Sequence, residues 1–376
     1  MNVVIALDSF KGSLTAAVAC RIVAAAFAQV LPEARLTCVP MADGGEGTIE
    51  ALVGACGGQF VALNAVSGPL PGQRVSARYG WLPATHTAVV EMAQASGLTL
   101  VPPEKRDPRQ TTTRGTGELI ADALQRGASR LVLTLGGSAT NDGGTGAAAA
   151  LGWRFLDATG RDLPDGGAAL CRLARVVPPA APLYRVPVEA LCDVTNPLCG
   201  DRGAAAVYGP QKGATPDQVR ELDLALSVLA ERIREALGLD VANLSGAGAA
   251  GGFGAGAVAF LGARLVPGVD TVADLAGLTD LMREADWVVT GEGRFDEQSL
   301  QGKVVSGVLR RAASGRPQVA VLAGSVALAR ADWLAAGVQE TESCAPAGMP
   351  VTEAIRRAPE LLRSAADRLV RRLQPP

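Results

Sequence analysis

Histidine is almost missing from this chain: His86 is the only one among 376 residues. It sits among alternating residues with no obvious partner and reads as structural, which argues against Ser-His-Asp chemistry. Seven cysteines are scattered, with no CxxC pair. Zinc clusters need closely spaced Cys and His, so a structural zinc site is not expected. An odd, dispersed set reads as reduced, mostly buried thiols and predicts a cytoplasmic protein. Net charge is only −2, which gives no field for attracting nucleic acid or an anionic membrane. No stretch of about 20 uncharged apolar residues occurs, so no membrane span is expected. The start runs directly into the strand-like Val3–Leu7 without a basic leader, so no secretory signal is expected. G-x-x-x-x-G-K-[ST], G-x-S-x-G and the protein-kinase signature set are all absent.

What is present is small and apolar. The chain is 48% hydrophobic but only 4% aromatic, with 45 glycines. That composition fits a large core in an α/β protein with close helix–sheet packing and argues against disorder. Val3–Leu7 reads as a strand, and Leu14–Val30 as a helix with Leu14, Val18, Ile22, Ala26 and Val30 on one stripe. Leu36–Val39 and Thr48–Ala55 repeat strand and helix. Val61–Val66, Arg74–Leu82 and Thr87–Met92 read as an antiparallel sheet. Leu131–Leu135 and Val186–Leu191 are further strands. From Ala285 the β-α-β pattern returns: Trp287–Thr290, a turn at Gly291–Asp296, a helix over Lys303–Ala313 and a strand over Gln318–Ala323. Val351–Leu373 reads as one last helix. The simplest account is a parallel α/β domain built from both chain ends, residues 1–60 and 283–376. A mixed α/β domain is inserted at 61–282, with residues 106–152 able to pack with either.

The chemistry concentrates in glycine-rich turns at strand ends, where parallel α/β proteins bind ligands and bare N–H groups make anion nests. In Asp8-Ser9-Phe10-Lys11-Gly12-Ser13, the groups Ser9, Lys11 and Ser13 could hold phosphate oxygens; a plain N-capped turn is the bland reading. In Asp43-Gly44-Gly45-Glu46-Gly47, Asp43 or Glu46 could hold Mg²⁺ or a substrate hydroxyl, with Gly44 and Gly45 permitting close approach. Gly136–Gly144 sets Gly137, Ser138, Thr140, Asn141 and Asp142 between glycine pairs. Asp193, Thr195 and Asn196 end a strand before Pro197, and Asp193 is a candidate general base. Lys212, within Gly209–Gly213, is either a phosphate clamp or a surface-turn residue. In Gly291–Asp296, Glu292 and Asp296 are candidate metal ligands and Arg294, beside Gly293, a phosphate clamp. Gly246–Gly251 formally matches G-x-G-x-x-G, yet it follows no clear strand, so close backbone packing is the better reading.

These turns, in this order, resemble the bacterial glycerate kinase family. The matching segments are ALDSFKGSLTA (6–16), PMADGGEGT (40–48), EMAQASGL (91–98), TTTRGTGELI (111–120), GGSATNDGGTG (136–146), CDVTNPLCG (192–200), GPQKGAT (209–215), GAGAAGGFGAG (246–256), TGEGRFDEQSLQGK (290–303) and LAGSV (322–326). The resemblance covers essentially the whole chain. Phe253 and Phe295 stand where related sequences often carry Leu, a change without bearing on the chemistry.

The resemblance implies a Rossmann- or flavodoxin-like domain carrying an inserted mixed α/β domain. It implies ATP-dependent phosphorylation of D-glycerate, usually at the 2-hydroxyl, with ATP as co-substrate and Mg²⁺ as cofactor. It is compatible with a homodimer. On this basis Asp193 orients or deprotonates the hydroxyl, with Asp8 as the alternative base. Lys11, Lys212 and Arg294 neutralise phosphates and the glycerate carboxylate, and Asp43, Glu292 or Asp296 hold Mg²⁺. Two other functions use the same residues: a Mg²⁺-dependent phosphatase of a small phospho-acid, and a non-catalytic metabolite-binding protein. ATP dependence and turnover separate them.

Overall fold

The computed structural model describes residues 1–180, 185–313, 315 and 317–373. They divide into two compact units: residues 1–43, 50–58 and 267–376, and residues 44–49 and 59–266. The chain re-enters the first unit at Pro267, ahead of the expected residue 283, because Gly268–Leu275 and Leu278–Arg283 are helices of that unit. Residues 106–152 lie in the second unit.

The first unit is built on a five-stranded parallel sheet of Asn2–Leu7, Arg35–Cys38, Trp287–Phe295, Gln318–Val326 and Glu340–Ser343. Counted along the chain, these strands lie side by side in the order 2-1-3-4-5. That is the flavodoxin-like order, whose switch point falls between the first and third strands. Val3 therefore pairs with Trp287 and Leu7 with Gly291. The central strands are nearly continuous apolar runs, as burial on both faces requires. The helix Ala16–Val30 buries Ala19, Cys20, Val23, Ala26 and Phe27 against them. Thr15 caps it, its hydroxyl accepting from the Val18 N–H. Ala358–Leu373 covers the same core with Leu361, Leu362, Ala365, Leu369 and Val370. Each such buried Leu, Val or Phe contributes about 1.5–3 kcal/mol. A short helix, Val351–Arg356, precedes it, so the expected single helix is two.

Two strands are longer than expected. Trp287–Phe295 and Gln318–Val326 continue through their glycines, pairing Glu292 with Ala323 and Arg294 with Ser325. Gly291–Asp296 is therefore mostly strand, not turn. Glycine is required because the backbones crowd: a Cβ on Gly291 would stand 1.7 Å from the Leu322 carbonyl oxygen.

The second unit holds a six-stranded mixed sheet. Gln59–Ser67, Arg74–Leu82 and Thr87–Glu91 are antiparallel neighbours. Thr87–Glu91, Arg130–Thr134, Val188–Leu191 and Arg264–Val266 then run parallel. The helices Arg114–Gln125, Pro216–Leu237 and Ala249–Leu261 bury apolar stripes in this unit. Each unit has its own apolar core.

Candidate active site

In the first unit the carboxyl ends of the two strands at the switch point carry Asp8 and Glu292. The Asp8 N–H donates to the Gly291 carbonyl at 2.9 Å, fixing one chain end against the other. Asp8 is buried and its Oδ1 accepts the Ser9 N–H at 2.6 Å. Burial, then the negative charges of Asp43 and Glu292, push its carboxyl up to about 7, against the Ser9 N–H and the Lys11 charge. Glu292 is also buried, and its carboxyl is raised by burial against the pull of Ser299 and Lys303. Its Oε1 is enclosed without a hydrogen-bond partner, while its Oε2 lies 4.0 Å from the Lys303 ammonium. Lys11, 78% exposed, reaches within 3.8 Å of Asp43.

These groups open into a cavity of about 790 Å³ lined by Asp8, Ser9, Lys11, Ser13, Glu292, Gly293, Arg294, Asp296 and Lys303 at its charged end. Three of the sequence candidates there also have structural duties. The Ser13 hydroxyl donates to the Phe10 carbonyl. Asp296 caps the short helix Glu297–Leu300, accepting from the Gln298 N–H, and pairs with Arg294 at 3.2 Å. A Cβ on Gly293 would stand in ordinary contact, 3.8 Å from the Lys11 main-chain nitrogen. Among the described residues no group of three or more His, Cys, Asp and Glu is arranged to hold a metal ion. Mg²⁺ commonly rests on one or two carboxylates plus substrate phosphates. The unsatisfied Glu292 oxygen beside other acids fits that pattern.

The second unit carries the remaining candidates. The Gly136–Gly144 loop is more interior than an open nest: Ser138, Thr140, Asn141 and Asp142 are all buried. Asp142 accepts the Thr113 N–H and hydroxyl, each at 2.8 Å, and so ties two turns together. Lys212 is buried too, its ammonium donating to Ser138 Oγ at 2.8 Å and the Thr140 carbonyl at 2.6 Å. Burial lowers its pKa to about 7, with the Asp142 charge opposing. Its burial contradicts the surface-turn alternative drawn from its sequence. The Asn141 amide and Thr140 Oγ1 are enclosed without partners. Gly137 is exposed in the left-handed region, and Gly45 packs beside Gly136. Gly44 is buried with φ 91°. Asp193 and Thr195 are exposed. Asn196 is engaged at both ends, donating to the Arg202 carbonyl and accepting from the Tyr208 hydroxyl. The Gly246–Gly256 stretch packs backbone to backbone on the 140–144 loop, where a Cβ on Gly251 would fall 1.9 Å from the Thr140 oxygen.

The model of the glycerate kinase family matches residues 3–374. The chain belongs to that family. The glycerate kinase of Halalkalibacterium halodurans is 46% identical over 97% of this chain and 96% of its own. The Escherichia coli glycerate 2-kinase is 46% identical over 87% and 86%. A crystal structure from Salmonella typhimurium LT2, of a protein assigned as glycerate kinase 2, superposes with a TM-score of 0.90. It is 43% identical and covers 99% of this chain and 98% of that one. In this member of the family, sequence reasoning left Lys303 as a mere helix start, although its spacing from Glu292 across one strand end was the available signal. It also gave no role to the apolar residues beyond Pro346 that line the same cavity.

Proposed function

We propose that the chain phosphorylates D-glycerate at the 2-hydroxyl, taking the γ-phosphoryl group of ATP and releasing ADP and 2-phosphoglycerate. The reaction class is that of the family, a kinase acting on an alcohol group. The position is supported by the E. coli relative, which is a 2-kinase. The observation that carries the chemistry is the gathering at the switch point of buried Asp8 and Glu292 with two ion pairs, Lys11 with Asp43 at 3.8 Å and Lys303 with Glu292 at 4.0 Å. In phosphoryl transfer, positioning and charge neutralisation supply most of the catalysis.

Lys11, Lys303 and Arg294 are placed to neutralise phosphate oxygens. Asp8 is the acceptor we assign to the hydroxyl proton, because a base works best with a pKa near the working pH and its own lies at about 7. Asp193, the first choice from sequence, is the exposed alternative. Asp43 and Glu292 would hold Mg²⁺, which when bound spreads the charge developing on the transferring phosphoryl group. Lys212 serves by holding the Gly136–Gly144 loop in shape. We place the protein in the cytoplasm: all seven cysteines are unpaired thiols, which oxidising compartments disfavour. No helix among the described residues is long and apolar enough to cross a membrane.

The test is a coupled ADP-release assay with Mg·ATP and D-glycerate, the product resolved by ³¹P NMR. Glycerate-dependent ADP release with a 2-phosphoglycerate signal is expected. A 3-phosphoglycerate signal overturns the position, and binding without turnover overturns the enzymatic reading.

A further inference from the structure

The cavity of the first unit has a second end, and it is apolar. Beyond the charged groups its lining is Met349, Val351, Ala354, Ile355, Ala358 and Leu362. Val351 and Ile355 are 73% and 40% exposed, unusual for large apolar side chains on a folded surface. The apolar wall is continuous with the charged end, since a Cβ on Gly12 would lie 3.9 Å from Ile355 Cδ1. Gly12 directly follows Lys11. Between the two ends, the turn closed by the Met349 N–H to the Pro346 carbonyl carries the Ala347 and Gly348 N–H groups, which have no hydrogen-bond partner among the described residues.

A three-carbon hydroxy acid has almost no apolar surface to offer such a wall. It would also fill little of about 790 Å³, a volume within the 300–1,000 Å³ range of pockets for drug-sized ligands. A ligand matched to both ends carries a strongly anionic tail and a flat apolar ring with a hydrogen-bonding edge. We infer that this cavity is the nucleotide site. The purine ring lies on the Met349–Ile355 wall, its edge met by the main chain of the 346–349 turn, and the phosphates run toward Lys11, Glu292 and Lys303. The inference rests on the kinase reading above, and it adds which residues read the base.

Val351 and Ile355 are exposed on a short helix, so changing them leaves the core intact. Ile355→Asp and Val351→Asp are compared with Ile355→Met, which keeps an apolar surface. Isothermal titration with Mg·ADP measures binding without requiring turnover, and steady-state kinetics measures the two KM values. Each Asp variant is expected to bind Mg·ADP at least tenfold more weakly and to raise the KM for Mg·ATP similarly. The KM for D-glycerate and the melting temperature stay within twofold and about 1 °C, and Ile355→Met stays close to wild type. Undiminished Mg·ADP affinity in a folded Asp variant overturns the inference. So does a rise confined to the KM for D-glycerate, which would give the cavity to the acid. If the wild type binds Mg·ADP and the Asp variants do not, yet the wild type itself does not turn over D-glycerate, the nucleotide site stands and the kinase reading falls.

Discussion

Asp8 is costly to the fold and useful for the same reason. Its carboxyl is raised from 3.8 to about 7 in the folded chain, first by burial and then by Asp43 and Glu292. A raised folded value means the folded state holds the proton more tightly than the unfolded one. The stability this gives is complete below the unfolded value and is lost as pH rises through the folded value. Above about pH 7 the ligand-free protein therefore carries a buried anion at a cost on the order of 2–4 kcal/mol. Asp8→Asn removes that anion. At pH 8 the variant is expected to melt several degrees higher than the wild type and to lose kcat by 100-fold or more. At pH 5 the stability gain is smaller, because the wild-type group is then protonated in the folded state, and it vanishes only below the unfolded value of 3.8. Equal melting temperatures at pH 8 would show that the group is not held at this cost. In the wild type, kcat/KM is expected to rise with pH as Asp8 ionises, with a midpoint below the metal-free value of about 7 because Mg²⁺ on Asp43 and Glu292 would offset two of the charges that raise it; an initial-rate profile at saturating Mg²⁺ measures it.

At the scale of the element, two glycines on one strand separate packing from chemistry. Gly291 is pressed against the neighbouring strand, where an added Cβ would stand 1.7 Å from the Leu322 oxygen, whereas Gly293 has nothing nearer than 3.8 Å. Gly291→Ala must push the Trp287–Phe295 and Gln318–Val326 strands apart and is expected to cost about 2–3 kcal/mol. Gly293→Ala, with the same propensity change, is expected to stay within about 0.5 kcal/mol. Denaturant melts of both variants check this, and equal losses would refute the packing argument. The same strand shows what the sequence could and could not reveal. The strand-turn-helix at Val3–Val30 and the acids at the switch point were readable, because apolar periodicity and turn composition are local signals. That the TGEGRF run continues as strand was not, because glycine breaks local propensity while the partner strand supplies the pairing. Nor does a polar loop announce whether its groups face a ligand or each other. Asp142, Lys212 and Asn196 are spent largely on holding neighbouring turns.

The chain as a whole carries a long-range closure. Val3 pairs with Trp287, so the central sheet of the first unit cannot form until nearly the entire second unit has been made. The second unit has local pairings instead: Gln59–Ser67, Arg74–Leu82 and Thr87–Glu91 are successive antiparallel neighbours. Closing a long loop costs entropy before its contacts repay it, so local pairs form sooner. Large chains also fold by units rather than all at once. During refolding from denaturant, amides of Arg74–Glu91 and Arg114–Gln125 are expected to become protected before those of Asn2–Leu7 and Trp287–Phe295. Pulse-labelling hydrogen exchange read by mass spectrometry measures this order. Protection of both sets in a single phase would mean that the terminal strands find each other without a folded insertion between them. On this expected order Asp8 and Glu292 come together only in the last step, so the groups assigned to phosphoryl transfer would assemble after the second unit has folded.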